Sequence, residues 1–136
     1  MKYTPWALWL LLPLAMLLRL NLSSSEPLGF YRLTREPLSR GAFVLLDSPL
    51  KQIAGVPGDV VRVTPEGSYI NGKLWPMSAI PGDSAFPHYP YGTYTLRPGQ
   101  LWILGQHPNS WDSRWFGPIP QTLISSTAEP VLTEHQ

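Results

Sequence analysis

The distribution of apolar residues divides the chain into an apolar N-terminal run and a longer segment in which short apolar stretches alternate with polar ones. Residues 6–18 carry no charge, but this run is shorter than the roughly 20 residues that cross a bilayer core. The Arg19 side chain can extend towards the headgroups, so Leu20 and Leu22 lengthen the apolar stretch to a marginal span. The pattern therefore predicts a membrane anchor over residues 1–22.

Three serines directly after this run leave a second interpretation open. Ser23–Ser25 place small residues at the spacing of a signal-peptide cleavage site, and cleavage after Ser25 would remove all three from the mature chain. An Ala-x-Ala site is absent at this point, which favours an uncleaved anchor. Lys2 favours a cytoplasmic N-terminus and Arg19 opposes it; with the N-terminus inside, the domain formed by residues 23–136 lies outside.

Beyond the anchor, the apolar positions follow patterns typical of β-strands. Residues 60–63 alternate, whereas residues 41–47 and 101–104 are almost continuously apolar, as expected of strands buried on both faces. Asn71 and Gly72 separate two apolar segments and predict a type I′ hairpin. Further strands are predicted at residues 30–33, 91–96 and 122–127, with a long loop at 75–90. The 16 prolines and 11 glycines also favour a mostly β domain with many turns.

Composition excludes several classes of function. The net charge of +1, without clustered Lys and Arg, gives no basis for binding nucleic acid. The absence of cysteine excludes disulfides, thiolate metal sites and a cysteine nucleophile. His88, His107 and His135 show no metal-ligand spacing, so we predict no metal and no cofactor.

One possible chemistry is nucleophilic catalysis by a serine with a lysine as base. Ser23–Ser25 precede Pro27 and Gly29, which turn the chain just beyond the predicted anchor. Lys51 lies among apolar residues, and its burial would lower its pKa by disfavouring the ammonium form. A neutral amine can act as general base towards a hydroxyl nucleophile. From the residue types alone, a loop serine and a solvated lysine remain the ordinary alternatives.

Four segments give this chemistry a context. They are residues 25–31 (SEPLGFY), 51–59 (KQIAGVPGD), 69–73 (YINGK) and 109–120 (NSWDSRWFGPIP). In this order they resemble the motifs of the signal peptidase I family of membrane-anchored Ser/Lys proteases, above all its conjugative-transfer members of the TraF type. The resemblance implies an antiparallel β catalytic domain behind one membrane helix.

The resemblance also implies roles for the residues of the first two motifs. Ser25 would be the nucleophile and Lys51 the general base. The oxyanion hole would be formed by the backbone N–H of Ser25 and the hydroxyl of Ser23. Gln52 stands where the family pattern has arginine, which is a departure from it.

The fourth motif implies supporting residues. Ser110 would hydrogen-bond the lysine, and Asp112 would pair with Arg114 beside the site. The ordinary alternatives are a turn cap for Ser110 and Asp112 and a surface charge for Arg114. Gln106 and His107 depart from the Asp-Asn of leader peptidases, which argues against a housekeeping role in secretion.

The expected function is therefore that of a membrane-anchored serine endopeptidase of the bacterial inner membrane, with its catalytic domain on the periplasmic side. Its partners would be the lipid bilayer and a membrane-tethered exported precursor, such as a conjugative pilin subunit that is cut and, by family comparison, cyclised. Two alternatives stay open: a general leader peptidase, and a non-enzymatic anchored β-domain of a secretion or conjugation apparatus.

Overall fold

The computed structural model describes residues 18–21, 26–27, 29–46, 50–84 and 86–133. These residues form strands joined by turns and loops, with one short helix and one 3₁₀ turn. The strands of the first half are β1 (Leu18–Asn21), β2 (Gly29–Thr34), β3 (Phe43–Leu45), β4 (Leu50–Gly55), β5 (Val60–Thr64), β6 (Gly67–Ile70) and β7 (Lys73–Leu74). The second half contains β8 (Gly92–Thr95), β9 (Gln100–Leu104), α1 (Ser113–Phe116), β10 (Ile119–Pro120), the 3₁₀ turn (Gln121–Leu123) and β11 (Ser126–Thr133).

The strands form two sheets, and all of their pairings are antiparallel. The larger sheet has the order β1-β2-β11-β3-β4-β9-β10, and the smaller has the order β7-β6-β5-β8. The prediction of a mostly β, antiparallel domain is confirmed.

The central strands β4 and β9 have both faces buried. Ile53 of β4 packs in one apolar cluster with Val44, while the next residue, Ala54, packs in the other with Trp102. This explains the continuous apolar pattern at 101–104, because alternate residues of a strand enter opposite clusters. The β6–β7 hairpin is also confirmed: Asn71 and Gly72 have φ angles of 51° and 85°, as a type I′ turn requires.

The first and the last described strands along the chain differ from the prediction. Leu18–Asn21 form β1 and pair with β2, so the part of the predicted anchor that the structure describes is strand. Residues 1–17 and 22 lie outside the described residues, and no helix among the described ones is long and apolar enough to cross a membrane. Near the C-terminus of the chain, the strand predicted at 122–127 is wrong in position, because β11 runs from Ser126 to Thr133 and pairs with both β2 and β3.

The long loop predicted at 75–90 is free of strands and helices in its described part, 75–84 and 86–90. Backbone hydrogen bonds fix it at several points. Trp75 N donates to Ser68 O at 2.9 Å, and Tyr89 N donates to Arg114 O at 3.0 Å. The second of these bonds attaches the loop to Arg114 of α1.

Candidate active site

Lys51 lies on β4 with its side chain in the interior, 2% exposed. Its Nζ is 2.8 Å from the Ser110 hydroxyl oxygen, to which it donates. Burial lowers the pKa of Lys51 because the ammonium loses its hydration. The nearby charges of Asp112 and Glu26 oppose this shift, and that of Arg114 adds to it. The lysine therefore lies in surroundings that favour a neutral amine.

Ser110 is held from two sides, by the turn that follows β9 and by α1. Its backbone N–H donates to His107 O at 3.0 Å, and its carbonyl accepts from Trp115 Nε1 at 2.9 Å. These bonds fix the position of the backbone that carries the hydroxyl. The contact between Lys51 and Ser110 that the family resemblance implies is present; its catalytic role stays a prediction.

Asp112 and Arg114 form a buried ion pair, and both side chains are 0% exposed. Arg114 donates from Nε to Asp112 Oδ1 at 2.7 Å and from Nη2 to Oδ2 at 2.9 Å, a two-point geometry that fixes both planes. Asp112 also caps α1 by accepting the Arg114 backbone N–H, and its Oδ2 accepts Gly105 N at 2.9 Å.

The guanidinium of Arg114 extends this network to neighbouring segments. Its Nη1 donates to Ala79 O in the long loop and to Pro108 O in the turn after β9, each at 3.1 Å. The ion pair therefore ties the end of β9, α1 and the loop into one unit. This location is incompatible with the alternative of a surface charge at Arg114.

Glu26 is a component of the site that sequence reasoning missed. Its side chain is buried, 1% exposed, and neither carboxyl oxygen has a hydrogen-bond partner among the residues that the structure describes. Burial raises the pKa of Glu26 from 4.5 to about 8, an effect reduced by the charge of Lys51 and increased by that of Asp112. The available signal was the position of an acidic residue directly after the candidate nucleophile.

The turn that carries Glu26 is fixed by residues of β1 and β2. Asn21 Nδ2 donates to the carbonyls of Glu26 and Pro27 at 3.2 and 3.1 Å. The Tyr31 hydroxyl donates to Pro27 O at 2.7 Å. Both donors are buried, so they hold the Glu26 backbone against the sheet.

Two of the predicted site residues, Ser23 and Ser25, lie outside the described residues. Among the residues that the structure does describe, no group of three or more metal-ligating side chains is present. The structure thus brings Lys51 into contact with Ser110, and Asp112 into contact with Arg114. It also identifies the buried Glu26 as a further member of the site.

Comparisons with known proteins agree on one family. The model of a family described as signal peptidase, peptidase S26, matches residues 21–132. The plasmid transfer protein TraF of Escherichia coli is 29% identical over 146 residues, covering 85% of this chain and 82% of that protein. The conjugal transfer protein TraF of Agrobacterium tumefaciens (strain 15955) is 29% identical over 147 residues, covering 86% and 83%. A probable signal peptidase I-2 of Synechocystis is 38% identical over 83 residues, covering 60% of this chain and 37% of that protein.

Proposed function

The chain belongs to the signal peptidase family, peptidase S26, and from this membership we propose that it is a membrane-anchored serine endopeptidase in which Ser25 and Lys51 form the catalytic pair. The observation that carries the proposal is the buried Lys51 amine, which donates to the Ser110 hydroxyl at 2.8 Å. This burial is the opposite of what the alternative of a solvated lysine requires. Ser25 precedes Glu26 directly in the chain, and the Glu26 carboxyl is close enough to Lys51 for each to affect the other's ionisation.

The mechanism follows from the neutral amine. Lys51 accepts the proton of the Ser25 hydroxyl as its oxygen attacks the carbonyl carbon of the scissile peptide bond. The oxyanion is stabilised by the Ser25 backbone N–H and the Ser23 hydroxyl, and one such donor lowers the barrier by about 3 kcal/mol. The leaving amine takes the proton from Lys51 as the peptide bond breaks. Water then hydrolyses the acyl-enzyme ester and restores the serine.

Ser110, Asp112 and Arg114 act on this reaction through position. Ser110 orients the Lys51 amine, and the ion pair of the other two residues holds the segment on which Ser110 lies. Removing either partner of that pair would leave a buried charge without its counter-ion, which costs about 3–5 kcal/mol.

The substrate in this proposal is an exported precursor that is tethered to the periplasmic face of the bacterial inner membrane. Similarity to plasmid and conjugal transfer proteins over most of the chain supports a conjugative pilin subunit. In such a reaction the N-terminal amine of the pilin itself can attack the acyl-enzyme instead of water. The product is then a cyclic pilin rather than a shortened linear one.

Mass spectrometry of a co-expressed pilin precursor tests the proposal. With the wild-type chain we expect a processed pilin, whose mass gives the cleavage site and shows a further loss of one water if it is cyclic. With Ser25→Ala or Lys51→Ala we expect the precursor mass alone. Equal processing by wild type and both variants would mean that the chain is a non-enzymatic component of the apparatus.

A general signal peptidase is the second candidate, favoured by the 38% identity to the Synechocystis protein. Complementation separates the two candidates: a general signal peptidase would restore growth to cells depleted of their own leader peptidase. We expect no rescue, because Glu26 follows the nucleophile and the departures at Gln52 and Gln106 lie near the site. Growth on expression of this chain would identify it as the general enzyme.

A further inference from the structure

We propose that an aromatic groove beside Ser110 is a binding site for a cationic side chain, lysine or arginine, of the precursor that the chain processes. The aromatic groove is a cavity of about 300 Å³ between the long loop and the segment 109–115. Its lining includes Asp83, Ser84, Phe86, Asn109, Trp111 and Trp115. The identity of the ligand rests on the proposed function, whereas binding of a cation to the groove can be measured without any cleavage.

The first ground is the exposed aromatic surface of the groove. Phe86 from the long loop is 65% exposed, and Trp111 is 57% exposed. Their ring centroids lie 6.0 Å apart with the planes at 75°, an edge-to-face contact between the two segments. Contiguous apolar surface that stays open to solvent marks a site of interaction with another molecule.

The rings are held in place by the protein itself. Trp115 Nε1 donates to the Ser110 carbonyl at 2.9 Å, which fixes its indole. Trp111 stacks on this indole with centroids 5.9 Å apart and planes inclined by 12°, and its other neighbour is Phe116 at 6.1 Å. A ligand therefore meets rings that are already ordered, which lowers the entropic cost of binding.

The second ground is the charge of the groove. Asp83 is exposed, lines the same cavity as the rings, and forms no ion pair with any other residue that the structure describes. None of the described lining residues is cationic. The faces of aromatic rings attract cations, and a carboxylate beside them adds to the attraction. The groove is thus complementary to a positive charge on a long apolar stem, which can pack on the rings.

The same combination of groups occurs with its cation in the smaller sheet. The guanidinium of Arg62 lies 4.3 Å from the centroid of the Tyr69 ring. The Tyr69 hydroxyl donates to the Glu66 carboxylate at 2.6 Å. In that place the chain supplies ring, carboxylate and cation, whereas at the aromatic groove the described residues supply the first two. The third is therefore assigned to the ligand.

The position of the groove assigns this cation to the precursor. Asn109 and Trp111 are the two neighbours of Ser110, whose hydroxyl accepts from Lys51. An extended chain advances about 3.4 Å per residue, so a precursor bound at Lys51 reaches the groove within a few residues of the scissile bond. A bilayer fits less well: surfaces that bind membranes combine aromatic rings with Lys and Arg, and Asp83 would repel anionic headgroups.

An NMR titration of the indole N–H signals tests the site without catalysis. The sample is the full-length Ser25→Ala chain in micelles of an uncharged detergent, with Trp111 assigned by Trp111→Leu. N-acetylarginine amide should shift the Trp111 signal in a saturable way that weakens as salt is added. N-acetylnorleucine amide, which keeps an alkyl stem but lacks the charge, should shift it far less. Equal responses to the two amides overturn the proposal.

Neutralising the carboxylate gives a second criterion. Asp83→Asn keeps the shape of the side chain and should weaken binding of N-acetylarginine amide about threefold, the usual contribution of an exposed ion pair. Glu36→Gln, at an exposed glutamate outside the groove, is the matched control and should bind the amide as the parent chain does. Equal binding by the parent chain and Asp83→Asn overturns the contribution of the carboxylate.

Kinetics of pilin processing then test the occupant. Asp83→Asn and Trp111→Leu should raise KM at least threefold and leave kcat nearly unchanged, because the groove binds the precursor away from the reacting atoms. Tyr91→Leu removes an exposed aromatic ring outside the groove and should leave both constants unchanged. Replacing basic residues beside the cleavage site by glutamine should raise KM for the wild-type chain, and raise it less for Asp83→Asn.

The outcomes separate the site from the proposed function. If N-acetylarginine amide binds but the wild-type chain cuts no precursor, the cation site stands and the peptidase function fails. If the precursor is cut with the same KM by wild type, Asp83→Asn and Trp111→Leu, the cation does not belong to the substrate and the proposal is overturned. It is also overturned if, in phosphatidylcholine nanodiscs, the Trp111 signal responds to added phosphatidylglycerol and not to the amide, since the groove then faces lipid.

Discussion

The amine of Lys51 and the carboxylate of Asp112 are buried in the same site, yet they are engaged by different partners. Asp112 accepts from Arg114 and from Gly105 N. Lys51 donates to the hydroxyl of Ser110. Both carboxylate oxygens of Asp112 therefore accept from the guanidinium of Arg114, which serves as their counter-ion. Burial of the Lys51 amine lowers its pKa against the opposing charge of Asp112, and ready loss of the proton is the property that a general base requires.

Replacing Lys51 by arginine should abolish processing as completely as replacing it by alanine. A guanidinium keeps its proton throughout the range in which proteins are stable, so it cannot accept one from Ser25. We expect both variants to lose at least about 10²-fold in rate, the usual contribution of a general base. The measurement is the rate of precursor cleavage in detergent-solubilised enzyme.

Two controls accompany this substitution. Lys73→Arg changes an exposed lysine of the β6–β7 hairpin and should retain full activity. Lys51→Met fills the buried position without a charge, and should be inactive but folded. If Lys51→Arg processes the precursor at the wild-type rate, Lys51 is not the base.

At the scale of elements, α1 and the turns at its two ends form a rigid support for Ser110. Asp112 caps the first turn of α1, and Gly117 ends it with φ 80° and a backbone bond to Ser113 O. Tyr89 from the long loop packs directly against Gly117 and also donates its N–H to Arg114 O. The glycine of the motif at 109–120 is therefore required by both its dihedral angle and its close contact with Tyr89.

Gly117→Ala should destabilise the protein by about 3 kcal/mol, from a backbone conformation that essentially only glycine adopts (φ 80°, ψ −162°) and from a steric clash. A β-carbon at this position would lie within 2.8 Å of three atoms of the Tyr89 ring. Urea denaturation of the detergent-solubilised chain measures the loss. Gly99→Ala is a matched control because Gly99 also has φ 80° but nothing within 4 Å of the added carbon. It should cost only about 1 kcal/mol; an equal loss in both variants would show that the Tyr89 contact contributes nothing.

At the scale of the whole molecule, the sequence was informative where structure is determined locally. The Asn71–Gly72 hairpin and the buried strand at 101–104 follow from short patterns, and the structure contains both. The position of β11 depends on β2 and β3, which lie far away in the chain, so its own residues do not reveal it. β1 was hidden for a different reason, since leucines next to an apolar run have the same composition as the end of a membrane segment.

In the candidate site, too, the residues of local motifs were predicted from the sequence, whereas a residue whose surroundings depend on distant segments was not. Lys51, Ser110, Asp112 and Arg114 were identified from motifs, and their contacts are present in the structure. Glu26 was missed because the turn that carries it is fixed by other strands, through hydrogen bonds from Asn21 of β1 and Tyr31 of β2 to its backbone carbonyls. A charged residue in a loop is exposed unless the tertiary structure covers it, and sequence patterns carry no signal for that.

The position of β1 bears on whether the N-terminal segment is retained. β1 pairs with four residues of β2, and its Asn21 holds the turn at Glu26 and Pro27. Cleavage after Ser25 would remove this strand, the Asn21 hydrogen bonds and the proposed nucleophile together. Each lost buried hydrogen bond costs about 1 kcal/mol, so a chain beginning at Glu26 should be both less stable and inactive.

We therefore expect the functional protein to keep its N-terminal residues. When residues 1–136 are expressed and extracted from membranes, their intact mass should remain about 15.3 kDa. The Ser25→Ala variant should give the same mass less one oxygen, which excludes self-cleavage as a complication. An active enzyme whose first residue is Glu26 would contradict the assignment of Ser25 and the contribution of β1 at the same time.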